Sequence, residues 1–220
     1  MKRFRTTAPS STAVRMMGTL TIAAAALLLP LAGSRAQQAP KADPAAVDAL
    51  VAATFKSATQ EWRQRIEPDA TQKICSQYRN VLPADEFAKV LEREKAAVVM
   101  PADGNVIGDW KSGEQIAQIG TGGQFTDKPS TPNGGNCYAC HQLTATELSY
   151  GTMGPSLRQY GKIRNFTADA AKAAYAKIYD AQSVLPCSSM PRFGHQKFLT
   201  EQQIKDVVAL LLDPQSPVNK

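Results

Sequence analysis

Histidine and cysteine are scarce in this chain, with two of the first and four of the second in 220 residues. So few ligands exclude a structural zinc site, which needs a second ligand pair beside the first. Strand signals are weak throughout, and the βαβ pattern that would surround a thioredoxin-like redox pair is missing. Beyond residues 16–32 no apolar run is long enough to span a bilayer. Acid is absent from the N-terminus: the first 36 residues carry five of the 25 Lys and Arg and none of the 19 Asp and Glu. The rest of the chain is therefore close to neutral, at about +1, so the overall charge of +6 is no evidence for nucleic-acid binding.

What the N-terminus does hold is a leader. Lys2, Arg3, Arg5 and Arg15 precede an apolar stretch from Met16 to Ala32, and Ser34-Arg35-Ala36 puts small residues at −3 and −1 of a cleavage site. Residues 1–36 read as a secretory signal peptide cut after Ala36. The alternative is an uncleaved anchor, although 17 residues broken by Gly18 and Pro30 fall short of the roughly 20 that a helical span needs. Either way the folded part is expected outside the cytoplasm, in the periplasm, with no membrane span after cleavage.

The scarce residues are concentrated. Cys137-Tyr138-Ala139-Cys140-His141 places two thiols one turn apart, where they can add to the two vinyl groups of one porphyrin. The histidine that follows is then set to bind the iron from the same side. One covalent haem c is the expected cofactor, on Cys137 and Cys140, with His141 as a metal ligand. The other axial ligand must come from far along the chain. Met100, Met153 and Met190 survive leader removal. Met190 lies 49 residues after His141 and precedes Pro191, which biases it toward an extended loop conformation. A thioether favours reduced iron and raises the potential. His195, in the same loop, is the competing ligand. Met153, only 12 residues after His141, should pass the proximal side.

The periodicity predicts an all-α fold. Asp43-Pro44 is a helix start, with Val47, Leu50, Val51, Phe55 and Ala58 as an apolar face. A second helix is expected from Pro83 to about Glu94, with Phe87, Val90 and Leu91 on one side. Residues 37–104 read as a helical N-terminal extension and 105–220 as the domain that carries the haem motif. In that domain, Trp110 to Gln118 is a short helix whose Gly113 and Ala117 permit a close crossing. Residues 120–136 are a Gly/Pro-rich loop, and Thr167 to Tyr179 is helical. The last helix has Thr200 and Gln203 as a capping box, Leu199 and Ile204 as a staple, and Ile204, Val207, Val208 and Leu211 as its buried stripe, ending at Asp213-Pro214. Arg158, Lys162 and Arg164 form a basic cluster, read first as a solvated face and second as a docking patch.

Two cysteines remain, Cys75 and Cys187. In an oxidising compartment an even remainder suggests a disulfide. The alternatives are two buried thiols, or Cys187 itself on the iron.

Gly135-Asn136-Cys137-Tyr138-Ala139-Cys140-His141, Gly154-Pro155-Ser156-Leu157, Met190-Pro191-Arg192-Phe193-Gly194 and the tail from Leu210 to Asn219 together resemble the SoxX family, over about residues 105–220. These are the mono-haem c-type subunits of the SoxAX sulfur-oxidation complex. The resemblance implies a class I cytochrome c-like domain, with His141 proximal, Met190 distal, and the carbonyl of Pro155 accepting the other imidazole N–H. It implies no catalytic residue in this chain. The sulfur chemistry, which couples thiosulfate oxidatively to a cysteine of a SoxYZ-like carrier, would belong to a SoxA-like partner. This chain would accept the electrons and pass them to a soluble cytochrome c. The alternative is a free-standing electron shuttle.

Overall fold

The computed structural model describes residues 43–220 apart from Phe125 and Pro129, so the expected signal peptide lies outside the described residues. Every regular element among those residues is helical. In order they are α1 (Pro44–Thr54), α2 (Gln60–Ile66), α3 (Ala70–Gln77), α4 (Ala84–Ala97), α5 (Trp110–Gln118), α6 (Tyr160–Ile163), α7 (Ala168–Tyr179) and α8 (Glu201–Leu212), with short 3-10 turns at Cys137–Ala139, Ala181–Ser183 and Pro217–Asn219.

The helix starts follow local chemistry. The Asp43 carboxylate accepts from the Ala45 N–H with Pro44 at the first helical position, and Asp109 caps α5 through the N–H groups of Lys111 and Ser112. Thr200 and Gln203 close a capping box on α8. The boundaries of α5 match the sequence expectation, and those of α7 and α8 lie within a residue or two of it.

The core is built on α8, whose residues Ile204 through Leu212 are all buried. Gly113 of α5 is what lets the two helices meet: a β-carbon there would overlap the Asp206 carbonyl and crowd Leu210. Ile204, Val208 and Leu210 are fully buried, and α7 adds Ala171, Ala174, Tyr175 and Ile178 to the same cluster. Two charged residues in α8 are buried because each is matched. Asp206 Oδ1 accepts from the Asp109 N–H at 2.9 Å, and Lys205 reaches Glu201 at 2.9 Å.

The C-terminal tail closes the fold. Asn219 accepts from the N–H groups of Gly161 and Lys162 and donates to the carbonyls of Leu211 and Asp213. It thereby satisfies orphan groups at the start of α6 and the end of α8.

The extension differs from its sequence reading in two places. No residue of α1 is buried: Val47 and Val51 are half-buried, while Leu50 and Phe55 stand exposed. Between the two expected helices, the polar stretch that holds Cys75 forms a helix of its own, α3, opened by a capping box between Asp69 and Gln72. In α4 the expected face is partly right, with Val90 fully buried and Phe87 at the surface. A cavity of about 310 Å³ lies among α1, α2 and α3, lined by Val51, Phe55, Arg63, Ile66 and Lys73 and by none of the expected site residues.

Candidate haem site

The attachment run folds into a 3-10 turn. Asn136 enters it in the left-handed region (φ 44°), and the N–H groups of Cys140 and His141 both donate to the Cys137 carbonyl. One short turn thus presents Cys137, Cys140 and His141 together. Both thiols are free and half-buried. Burial pushes the Cys137 thiol up to about 12, as expected of a neutral sulfur against apolar neighbours.

His141 is oriented from behind. Its Nδ1 lies 2.7 Å from the carbonyl oxygen of Pro155. A carbonyl only accepts, so Nδ1 carries a proton, and in the neutral ring the lone pair is on Nε2. Gly154 makes the approach possible, because a β-carbon there would overlap the imidazole ring. The N–H groups of Gly151 and Gly154 donate to Tyr138 and Cys140 carbonyls, fastening this loop to the attachment turn.

Met190 is half-buried in the second loop and packs against the hydrophobic core, as do Cys137, Tyr138, Leu157 and Tyr160. The rival ligands are otherwise engaged. Cys187 is bonded to Cys75, and His195 Nδ1 sits 3.3 Å from the buried carboxylate of Asp180. Met153 is 77 % exposed, and Met100 is also at the surface. Two free thiols, an imidazole with its outer nitrogen free, and a thioether on an apolar wall are the donor set a covalent haem needs. The residues fit the group.

A model of the cytochrome c family matches residues 121–213, a span that contains the attachment turn, the Pro155 loop and Met190. Residues 121–213 carry a cytochrome c domain. This cytochrome c is also similar to a protein of Aquifex aeolicus (strain VF5) described as an uncharacterized lipoprotein, 41% identical over 154 residues, 69% of this chain and 73% of that one. It is therefore an electron-transfer haem protein that uses haem c, and it works with redox partners. Among the described residues no helix is long and apolar enough to cross a membrane.

One cluster of this cytochrome went unread in the sequence. Arg192, 3% exposed, donates from Nη1 to Glu94 Oε2 at 2.9 Å and from Nη2 to Asp69 Oδ2. Thr71 and Arg93 donate to the other Glu94 oxygen. Asp180, fully buried, lies beside Glu94 and His195. Burial and the neighbouring Glu94 carboxylate raise the Asp180 pKa above its ordinary value. Burial would raise Glu94 as well, but hydrogen bonds from Thr71, Asp180 and Arg93 and the Arg192 charge outweigh it and hold the carboxyl below its usual range. Glu94, Asp180 and His195 are close enough to share a metal ion, yet Arg192 and Arg93 already answer both Glu94 oxygens. The charge is matched from within the chain. Only the spacing between residues 69, 94 and 192 hid this, since no local pattern links them.

Proposed function

We propose that this protein is the mono-haem subunit of a SoxAX-like complex, accepting electrons released when thiosulfate is joined to a carrier-protein cysteine and passing them to a soluble cytochrome c. In that reaction a carrier thiol and thiosulfate form a sulfur–sulfur bond, giving a protein S-thiosulfonate, one proton and two electrons. The sulfur-reacting centre belongs to a SoxA-like partner, and the carrier is SoxYZ-like. Haem c, when bound, supplies one-electron exchange at its iron.

The roles of this chain's residues follow from their chemistry. Cys137 and Cys140 would hold one haem by thioether bonds, His141 would bind the iron through Nε2, and Met190 would take the opposite position. The Pro155 carbonyl holds the His141 ring in one orientation through the Nδ1–H bond. If His141 and Met190 both bound the iron, no position would be left for a sulfur substrate, and this chain would relay electrons and leave the bond-making to its partner. Export by the leader of residues 1–36 would put it in the periplasm, where haem c is attached.

The observation that carries this reading is the combination of the attachment turn with the Met190-Pro191-Arg192-Phe193-Gly194 loop and the Leu210–Asn219 tail. Gel filtration of the protein purified from its source tests it. Co-elution with a second c-type cytochrome, and thiosulfate-dependent reduction of the pair in the presence of a thiol carrier, are expected. Elution as a lone chain that thiosulfate and carrier leave oxidised would return the protein to the free-standing shuttle reading.

A further inference from the structure

Met190 stands between two anchors, and both lead to the same place. Three residues before it, Cys187 is bonded to Cys75 on α3. Two residues after it, the buried Arg192 is gripped by Asp69, which caps α3, and by Glu94 of α4. Gln182 adds a third hold, accepting from the Cys187 N–H at 3.2 Å out of the 181–183 turn beside α4. Cys187 itself is kept in the left-handed region (φ 60°), a conformation a non-glycine residue retains only when its surroundings impose it. The gripping residues Asp69, Cys75 and Glu94 all precede the 121–213 span matched by the family model. The fastening therefore comes from the N-terminal segment, outside that span.

A loop bearing a thioether needs such fastening. Sulfur is a weak ligand, so the fraction of molecules with Met190 withdrawn is set by how freely residues 187–192 move. A buried arginine bridging two carboxylates resists that motion, because moving it strands charge away from water.

We propose that the segment of residues 43–104 is a clamp on the distal ligand loop, with Asp69, Cys75 and Glu94 acting as positioning residues that keep Met190 in place through Cys187 and Arg192. The proposal rests on the reading of Met190 as the distal ligand. The clamp touches neither haem nor substrate; it sets how often the sixth position opens.

The test uses ferric holoprotein and two readouts: the association rate of cyanide, which needs an open sixth position, and hydrogen exchange of the amides of residues 186–194. Glu94→Gln keeps the side-chain shape and removes the charge; Asp69→Asn, at a half-exposed carboxylate, is the milder variant should the first not fold. Val208→Ala, in α8, serves as a control that lowers the melting temperature without touching the clamp. Either clamp variant should speed cyanide binding about tenfold and raise exchange across 186–194, whereas Val208→Ala leaves both as in the wild type. Rates and exchange unchanged in Glu94→Gln or Asp69→Asn, with the wild type slow to bind cyanide, would overturn the clamp and leave the Met190 reading standing. A wild type that binds cyanide at once would overturn both.

Discussion

The imidazole of His141 and the carbonyl of Pro155 are joined across 14 residues by a 2.7 Å hydrogen bond, and Gly154 is flattened against the ring between them. This is how the chain selects one tautomer before any metal arrives. Gly154→Ala should therefore push the ring off Pro155 and lower the yield of covalent haem several-fold. Pyridine haemochrome absorbance per chain would check it, and an unchanged yield would mean that the ring has room the structure does not show.

Gly113 does the same for packing. The close meeting of α5 and α8 leaves no space above it. Gly113→Val should cost about 1–3 kcal/mol or more through overpacking, read as a lower urea midpoint with unchanged m-value. The equivalent change at Gly104, where nothing stands within 4 Å of a β-carbon, would meet no neighbour and instead strain a positive φ of 70°. Its cost should be smaller.

Acid should loosen the union of α3, α4 and the Met190 loop. Glu94 and Asp69 both titrate below their ordinary values of 4.5 and 3.8 in the fold. Groups with depressed values stabilise above the unfolded-state pKa, and that stability is lost as pH falls through the folded one. Asp180 has the opposite sign: its raised value favours the fold below 3.8 and costs stability as pH climbs. The urea midpoint should fall between about pH 5 and pH 3, and Glu94→Gln should flatten that limb. A variant with the wild-type slope would show that the grip on Arg192 is not what titrates.

The Cys75–Cys187 bridge spans 112 residues. Closing so long a loop stabilises by up to about 4–5 kcal/mol in the chain-entropy model. Alkylation of the unreduced haem protein should modify neither cysteine, and the double Cys→Ser variant should unfold at markedly lower urea. Labelling of both thiols would remove the bridge.

Much of this was legible in the chain. Asp43-Pro44 and the Thr200/Gln203 box are local signals that placed the starts of their helices, and the Gly113/Ala117 pair marked a close crossing. Cys137, Cys140 and His141 share one turn, so their spacing carried their chemistry. The Cys75–Cys187 pairing followed from parity and compartment. What escaped was long-range: Asp69, Glu94 and Arg192 meet only when α3 and α4 dock beside the Met190 loop, and buried charge leaves no periodic mark. The short α2 and α3 were missed because a polar helix has no apolar stripe to read. The apolar pattern from Val47 to Ala58 overran α1, which ends at Thr54, and Leu50 and Phe55 stand exposed.

The optical spectrum of the ferric protein, made with export and haem attachment intact, tests the central claim most directly. It should show one haem per chain that resists acid–acetone extraction, together with the weak far-red absorption of a thioether on iron. Extractable or absent pigment, or the spectrum of an iron with an open face, would contradict the assignment of Cys137, Cys140, His141 and Met190.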